Sequence, residues 1–129
     1  LDCNDVWVVF GGAGVDFSNR PNMILNPLGI SHLFRSTDGG TTWVDASGQF
    51  SPTNLPDIPT SAVAISDFDS EVAYAGTDVG VFRTEDGGAT WTAFQDGLPR
   101  SPVTELKFNR RHNRLFAGTM GRGVYVRDV

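Results

Sequence analysis

The sequence predicts an all-β protein built from repeated antiparallel strands, and three observations support this prediction. Two similar ten-residue segments occur at 34–43 and 82–91, with their identical residues in the same order and without a gap. The 129 residues include 15 Gly and 7 Pro beside many Val, Thr, Phe and Trp, which is typical of short strands joined by tight turns. No stretch has the apolar periodicity of a helix of ordinary length.

Each copy of the repeated segment predicts a β-hairpin with a turn that it caps itself. In the first copy, the strand residue Phe34 precedes Asp38-Gly39-Gly40, and Thr42-Trp43 follows. An Asp side chain in a turn accepts hydrogen bonds from nearby backbone N–H groups, and Gly adopts positive φ at little steric cost. The Trp ring is then expected to cover the base of the hairpin and to extend the core.

These two segments resemble the Asp-box (BNR) repeat of sialidases, xyloglucan-hydrolysing glycosidases, sortilin-type receptors and photosystem assembly factors. The resemblance implies a β-propeller of antiparallel four-stranded blades, with each Asp box on the turn between the third and fourth strands. It also implies a structural role for the matching residues. They are Ser36, Asp38, Gly40, Thr42, Trp43, Thr84, Asp86, Gly88, Thr90 and Trp91. The motif is specific for the fold but not for a function, because those families do unrelated things.

The predicted strands, lettered A to D from the propeller axis outward, form about two and a half blades in one partial propeller, residues 1–129. Blade 1 has strands B Val6–Gly11, C Ser31–Ser36 and D Thr42–Ala46. Blade 2 has strands A Ser61–Ser66, B Val72–Gly76, C Gly80–Thr84 and D Thr90–Phe94. Blade 3 has strands A Val103–Phe108, B Arg114–Gly118 and C Gly123–Arg127. Closed propellers have about 4–8 blades. We therefore expect either the remainder of a larger propeller or copies that associate to close a ring.

The connection between the first two predicted strands carries an insertion. Gly76 and Phe82 are 6 positions apart in blade 2, whereas Gly11 and Phe34 are 23 apart in blade 1. Long loops without their own secondary structure are often functional. Its polar and aromatic residues suit a sugar or peptide surface, and the candidates are Asp16, Phe17, Asn19, Arg20 and Asn22. Alternatively, the insertion only packs on the neighbouring blade through Met23-Ile24-Leu25.

Few residues are candidates for catalysis. Asp78 and Arg122 occupy equivalent turns of adjacent blades, on the propeller face opposite the Asp boxes, where they either pair or meet a ligand. A glycosidase needs two carboxylates about 5–9.5 Å apart, and Asp16 and Asp78 are the only, weak, candidates. The acidic segment 67–71 lies at a predicted hairpin tip, so we expect no metal and no other cofactor.

Charge and hydropathy argue against two further classes of partner. Ten Lys and Arg against 15 Asp and Glu give a net charge of −5, which disfavours nucleic acid. No apolar run approaches the roughly 18–20 residues that span a bilayer, so no membrane partner is expected. The basic run 110–114 is either a solvated hairpin tip or a contact for a polyanion. The single cysteine, Cys3, cannot form an intrachain disulfide.

By resemblance, the expected function is that of part of a secreted or periplasmic propeller that binds carbohydrate or hydrolyses glycosides. The alternative is a non-catalytic scaffold that binds protein or glycan and is active only as a closed ring. A third alternative is that the chain has no activity of its own and that only its assembly acts. The sequence favours no enzymatic activity for this chain alone.

Overall fold

The computed structural model describes residues 4–9, 23–24, 33–48, 53–56, 58–94, 98 and 100–129. All regular structure in these ranges is β, which confirms the predicted fold class, and they hold no helix that could cross a membrane. The eleven strands are β1 Val6–Val9, β2 Met23–Ile24, β3 Leu33–Ser36, β4 Trp43–Asp45, β5 Thr60–Ile65, β6 Ala73–Thr77, β7 Gly80–Thr84, β8 Thr92–Ala93, β9 Val103–Asn109, β10 Arg114–Thr119 and β11 Val124–Asp128.

The strands form three sheets, which are the blades of a partial β-propeller. The second sheet runs β5-β6-β7-β8 and the third runs β9-β10-β11, both antiparallel and with neighbours in chain order. The first has the order β1-β3-β4-β2, with β1, β3 and β4 antiparallel. These sheets are called blades 1, 2 and 3 below.

Strand β2 lies within the insertion of blade 1, where we expected a loop without strands. Met23 pairs with Trp43 and Ile24 with Val44, in parallel, so this dipeptide extends the sheet beyond β4. That expectation was therefore wrong for these two residues. Without β2, β4 would be an edge strand with a row of unpaired backbone N–H and C=O groups. The short extended segment β2 pairs with part of that row.

Blade 2 is covered on both faces, and the alternation of side chains along β6 explains how. All five residues of β6 are buried. Ala73 and Ala75 belong to a core cluster between blades 1 and 2, whereas Tyr74 points to the opposite face. The cluster towards blade 1 also contains Trp7, Leu33, Ala46, Leu55 and Trp91. The cluster towards blade 3 also contains Ala62, Ala64, Val81, Leu98, Val103, Leu106, Leu115 and Ala117.

Candidate functional site

The first repeated turn is closed by its own side chains. Asp38 Oδ1 accepts hydrogen bonds from Ser36 Oγ at 2.7 Å and from the Thr42 amide at 2.9 Å, while Asp38 Oδ2 accepts one from Thr42 Oγ1 at 2.5 Å. Ser36 Oγ accepts in turn from the Gly40 amide at 2.8 Å. Gly39 and Gly40 have φ of 73° and 98°, which only glycine adopts at little cost.

The second turn repeats these bonds with Thr84 in place of serine. Asp86 Oδ1 accepts from Thr84 Oγ1 at 2.8 Å and from the Thr90 amide at 2.9 Å, and Oδ2 accepts from Thr90 Oγ1 at 2.5 Å. Burial alone would raise the pKa of Asp86, but the hydrogen bonds from Thr90 and Thr84 outweigh it and lower that pKa. In the first turn, the equivalent bonds from Thr42 and Ser36 lower the pKa of Asp38 to about 2. Both carboxylates are ionised at neutral pH, so neither holds a proton for general acid catalysis.

The two tryptophans of the turns lie in different surroundings. Trp43 Nε1 donates to Gly40 O of its own turn at 3.0 Å, and the Trp43 ring is half-buried. Trp91 Nε1 donates instead to Ala46 O of blade 1 at 2.7 Å, and Trp91 is 3 % exposed. The ring of Trp91 is thus part of the core between blades 1 and 2, whereas that of Trp43 is outside the core clusters described above.

A cleft of about 240 Å³ lies between blades 1 and 2, bordered by both turns. Its charged lining residues are Arg35, Asp45 and Asp86. The Nε and Nη2 of Arg35 donate to Asp5 at 2.9 and 2.7 Å, and its Nη1 and Nη2 donate to Glu71 at 3.0 and 2.9 Å. The hydrogen bonds with Asp5 come first among the causes that raise the pKa of Arg35. Arg35 also lies over the Trp7 ring, 5.2 Å from its centre. Because two carboxylates neutralise it, Arg35 ties the blades together rather than offering a free charge.

A second cleft, of about 170 Å³, lies at the outer part of blade 2. It is lined by Arg83, Glu85, Thr90, Thr92 and Phe94. Arg83 lies 5.8 Å from the ring centre of Tyr74 and 5.7 Å from that of Phe94. Arg127 of blade 3 stacks on the same Phe94 ring at 3.7 Å. Burial, above all, raises the pKa of Tyr74, so its hydroxyl stays protonated at neutral pH.

Sequence reasoning missed both arginine clusters. The available signal was the repeat itself, because Arg35 and Arg83 occupy the same position in the two ten-residue segments. Each arginine is paired across the sheet with an aromatic residue, Arg35 with Trp7 and Arg83 with Tyr74. Of the carboxylates that distinguish the two sites, Asp5 lies 30 residues before Arg35 in the same blade and Glu71 comes from the next blade, so no local pattern reveals them.

The predicted ligand-binding residues are only partly described by the structure. Five of them, Asp16, Phe17, Asn19, Arg20 and Asn22, lie outside the described residues. Asp78 and Arg122 are exposed in the β6–β7 and β10–β11 turns, and no ion pair joins their side chains in the described part of the chain. Within that part, no three His, Cys, Asp or Glu side chains are grouped as metal ligands.

Blade 3 exposes a face whose equivalent in blade 2 is covered. Strand registers match the blade 2 positions Ala62, Ala64, Tyr74, Gly76 and Val81 to Glu105, Lys107, Phe116, Gly118 and Val124 of blade 3. In blade 2, Gly76 lies so close to blade 3 that a Cβ would be 2.8 Å from Cγ1 of Val103. In blade 3, a hollow of about 190 Å³ lies beside Gly118, and Val124 and Val126 are 70 % and 46 % exposed.

The arrangement of the three sheets places the chain in the class of partial β-propellers. No protein-family model and no curated protein sequence matches this chain. Among solved structures, it is similar to the GH74 enzyme of Niastella koreensis, with a TM-score of 0.48 and 21 % sequence identity. The similarity covers 67 % of this chain and 14 % of that chain.

Proposed function

We propose that this chain is a non-catalytic propeller scaffold that works as an assembly with a second copy of itself. One observation carries the proposal, the apolar face of blade 3 formed by the exposed Val124 and Val126 and the half-buried Phe116. The matching face of blade 2 is buried between blades, so the same design of surface already serves as an interface within this chain. Contiguous exposed apolar surface commonly marks an interaction site.

The charges on this face support a second copy as the partner. Glu105 and Lys107 are exposed on β9, two positions apart and therefore on the same side of the sheet. A two-fold axis brings the same patch of both copies together. If the axis passes between Glu105 and Lys107 on β9, Glu105 of one copy lies against Lys107 of the other, and the apolar residues of β10 and β11 lie beside this pair of contacts. The face is thus complementary to itself in charge as well as apolar.

Four of the described carboxylates support the non-catalytic part of the proposal. Asp38 and Asp86 accept hydrogen bonds within their turns, and Asp5 and Glu71 are bound to Arg35. A glycosidase acid must hold a proton near neutral pH. The pKa values of Asp38 and Asp86 are lowered, so both carboxylates are ionised near neutral pH.

The assembly is tested by sedimentation velocity over a range of protein concentrations. We expect a concentration-dependent dimer for the unaltered chain and a monomer for Val124→Lys. Val79→Lys is the matched control, because Val79 is 42 % exposed in a turn of blade 2, and it should leave the dimer intact. A monomer at all concentrations, or equal loss of the dimer in both variants, would contradict the proposal.

Carbohydrate binding by a secreted or periplasmic propeller is the second candidate function. This candidate rests on the resemblance of the two turns to the Asp-box repeat. The hydrogen bonds from the Thr42 and Thr90 amides to Asp38 and Asp86 support it, because they are made by residues that carry the resemblance. A glycan array tests it, with Asp16→Ala and Arg20→Ala as variants. Glycan binding lost in both variants would support a site on the insertion of blade 1. Binding that survives both changes would remove the insertion from the site.

A further inference from the structure

Arg35 and Arg83 occupy equivalent places in successive blades. Strand pairing sets Arg35 opposite Trp7 and Arg83 opposite Tyr74. The guanidinium carbons lie 5.2 and 5.8 Å from the centres of these rings. The partners of Arg35 therefore show which groups an arginine in this position can bind, and the partners of Arg83 can be compared with them.

The partners of the two arginines differ. Arg35 binds the carboxylates of Asp5, from its own blade, and Glu71, from the next blade. When positions are counted from the paired strands, Val72 is the counterpart of Asp5 and Asn113 is the counterpart of Glu71. Neither of these side chains has a carboxylate. The position that holds two carboxylates in blade 1 has lost both of them in blade 2.

Among the described residues, Arg83 therefore has less negative charge around it than Arg35 has. Its one ion pair in the described part of the chain is with Glu85 at 3.0 Å, and the Glu85 side chain is 68 % exposed. Such solvent-exposed pairs contribute little. The Nε–H of Arg83 is buried and donates to no acceptor among the described residues. Arg127 adds a second guanidinium beside the same Phe94 ring, and it has no ion pair in that part of the chain.

We propose that Arg83 binds the carboxylate group of an external acid in the cleft of about 170 Å³ that it lines together with Phe94. Arg127 does not line this cleft, but it stacks on the Phe94 ring and adds a second positive charge beside it. The planar guanidinium matches a carboxylate through two parallel hydrogen bonds. The ligand takes the place on Arg83 that Glu71 takes on Arg35, and Glu85 moves into solvent. The Phe94 ring provides an apolar wall for the carbon skeleton of the acid.

This site is independent of the proposed assembly. Arg127 is paired with Leu115, which is buried towards blade 2, whereas Val126 and Phe116 face the other side of blade 3. A failure to dimerise would therefore leave the inference untouched, and an absent acid site would leave the assembly untouched.

The test is an NMR titration of the amide signals at constant ionic strength with sodium D-glucuronate, sodium glutarate and neutral D-glucose. We expect both acids to shift signals of the cleft, with a dissociation constant of about 1 mM, and glucose to shift none. Arg83→Gln and Arg127→Gln should each weaken binding about tenfold or more. Arg111→Gln, in the exposed β9–β10 turn, is the control and should bind as before.

A second pair of variants fills the cleft without touching either arginine. Thr92 is exposed and lies directly opposite Arg83 in the sheet. Thr92→Glu should supply an internal carboxylate, raise the thermal midpoint and abolish binding of both acids. Thr92→Gln, of the same size but neutral, should retain binding. The comparison of Thr92→Glu with Thr92→Gln therefore tests the acid site even if an arginine variant fails to fold.

Equal binding of both acids supports recognition of the carboxylate alone, and tighter binding of glucuronate supports recognition of an acidic sugar. Binding of glucose with the same affinity as glucuronate would overturn the inference. So would the absence of any acid-induced shift in the unaltered chain, or unchanged acid binding in folded Arg83→Gln and in Thr92→Glu.

Discussion

The indole Nε1 of Trp91 donates a hydrogen bond of 2.7 Å to the carbonyl oxygen of Ala46, and this bond joins two blades. Gly88, three residues before Trp91, approaches the same residue so closely that a Cβ would lie 2.5 Å from both the Cβ and the carbonyl oxygen of Ala46. The second turn is therefore part of the contact between blades 1 and 2 as well as the end of a hairpin. The indole Nε1 of the equivalent Trp43 donates instead to Gly40 O of its own turn.

We expect Trp91→Phe to lower the free energy of unfolding by about 2 kcal/mol, because it leaves the buried Ala46 carbonyl without its donor. Trp43→Phe should cost less than about 1 kcal/mol, since Gly40 O lies at a partly exposed turn. Urea unfolding followed by circular dichroism measures both. Equal losses would show that the contact between the blades does not depend on the indole N–H.

Gly88→Ala should destabilise the protein far more than Gly121→Ala does. Both glycines have positive φ, 96° and 81°, so both variants bear a backbone strain of roughly 1–2 kcal/mol. Only Gly88 has a neighbouring backbone where the new methyl group must lie, whereas a Cβ at Gly121 meets nothing within 4 Å. The overlap should add about 1–3 kcal/mol. Thermal unfolding midpoints that fall equally would refute the close approach of Gly88 to Ala46.

The parts of the fold that depend on local pattern could be predicted from the sequence. The Asp-Gly-Gly turns and the alternation along β5 and β9 each need only a few neighbouring residues. Strand β2 could not be predicted, because Met23 and Ile24 pair with β4 some twenty residues later. The arginine clusters were missed for the same reason. Neutralisation of Arg35 needs Asp5, 30 residues earlier in the chain, and Glu71 of the following blade. Their counterparts at Arg83 are Val72 and Asn113, and single-segment reasoning does not reach that far.

The ion pairs of Arg35 should differ in strength according to their burial. The side chains of Arg35 and Asp5 are 12 % and 10 % exposed, whereas that of Glu71 is 49 % exposed. Removing one partner of a buried pair leaves an uncompensated charge. We therefore expect Asp5→Asn to cost about 2–4 kcal/mol and Glu71→Gln to cost less than about 1 kcal/mol.

Chemical denaturation at neutral pH measures both losses at Arg35. Glu85→Gln, which removes the largely exposed partner of Arg83, serves as the control and should be nearly neutral. A loss for Glu71→Gln as large as that for Asp5→Asn would mean that burial does not set the strength of these pairs.

The carboxylate of Asp38 should titrate well below an ordinary Asp, with a pKa of about 2 instead of 3.8. Because folding lowers this pKa, the stabilisation is complete above the unfolded value and is lost as the pH falls from about 4 towards 2. Thr42→Val removes the largest cause, the hydroxyl hydrogen bond, and should raise the pKa of Asp38 towards its ordinary value. Carbon-13 NMR of the side-chain carboxyl measures this pKa. Thr90→Val is the control variant, because the Thr90 hydroxyl donates to Asp86, and it should leave the pKa of Asp38 unchanged. An unchanged pKa of Asp38 in Thr42→Val would mean that the Ser36 hydroxyl and the backbone amides suffice to hold the charge, and the Thr42 hydroxyl would then have no part in closing the turn.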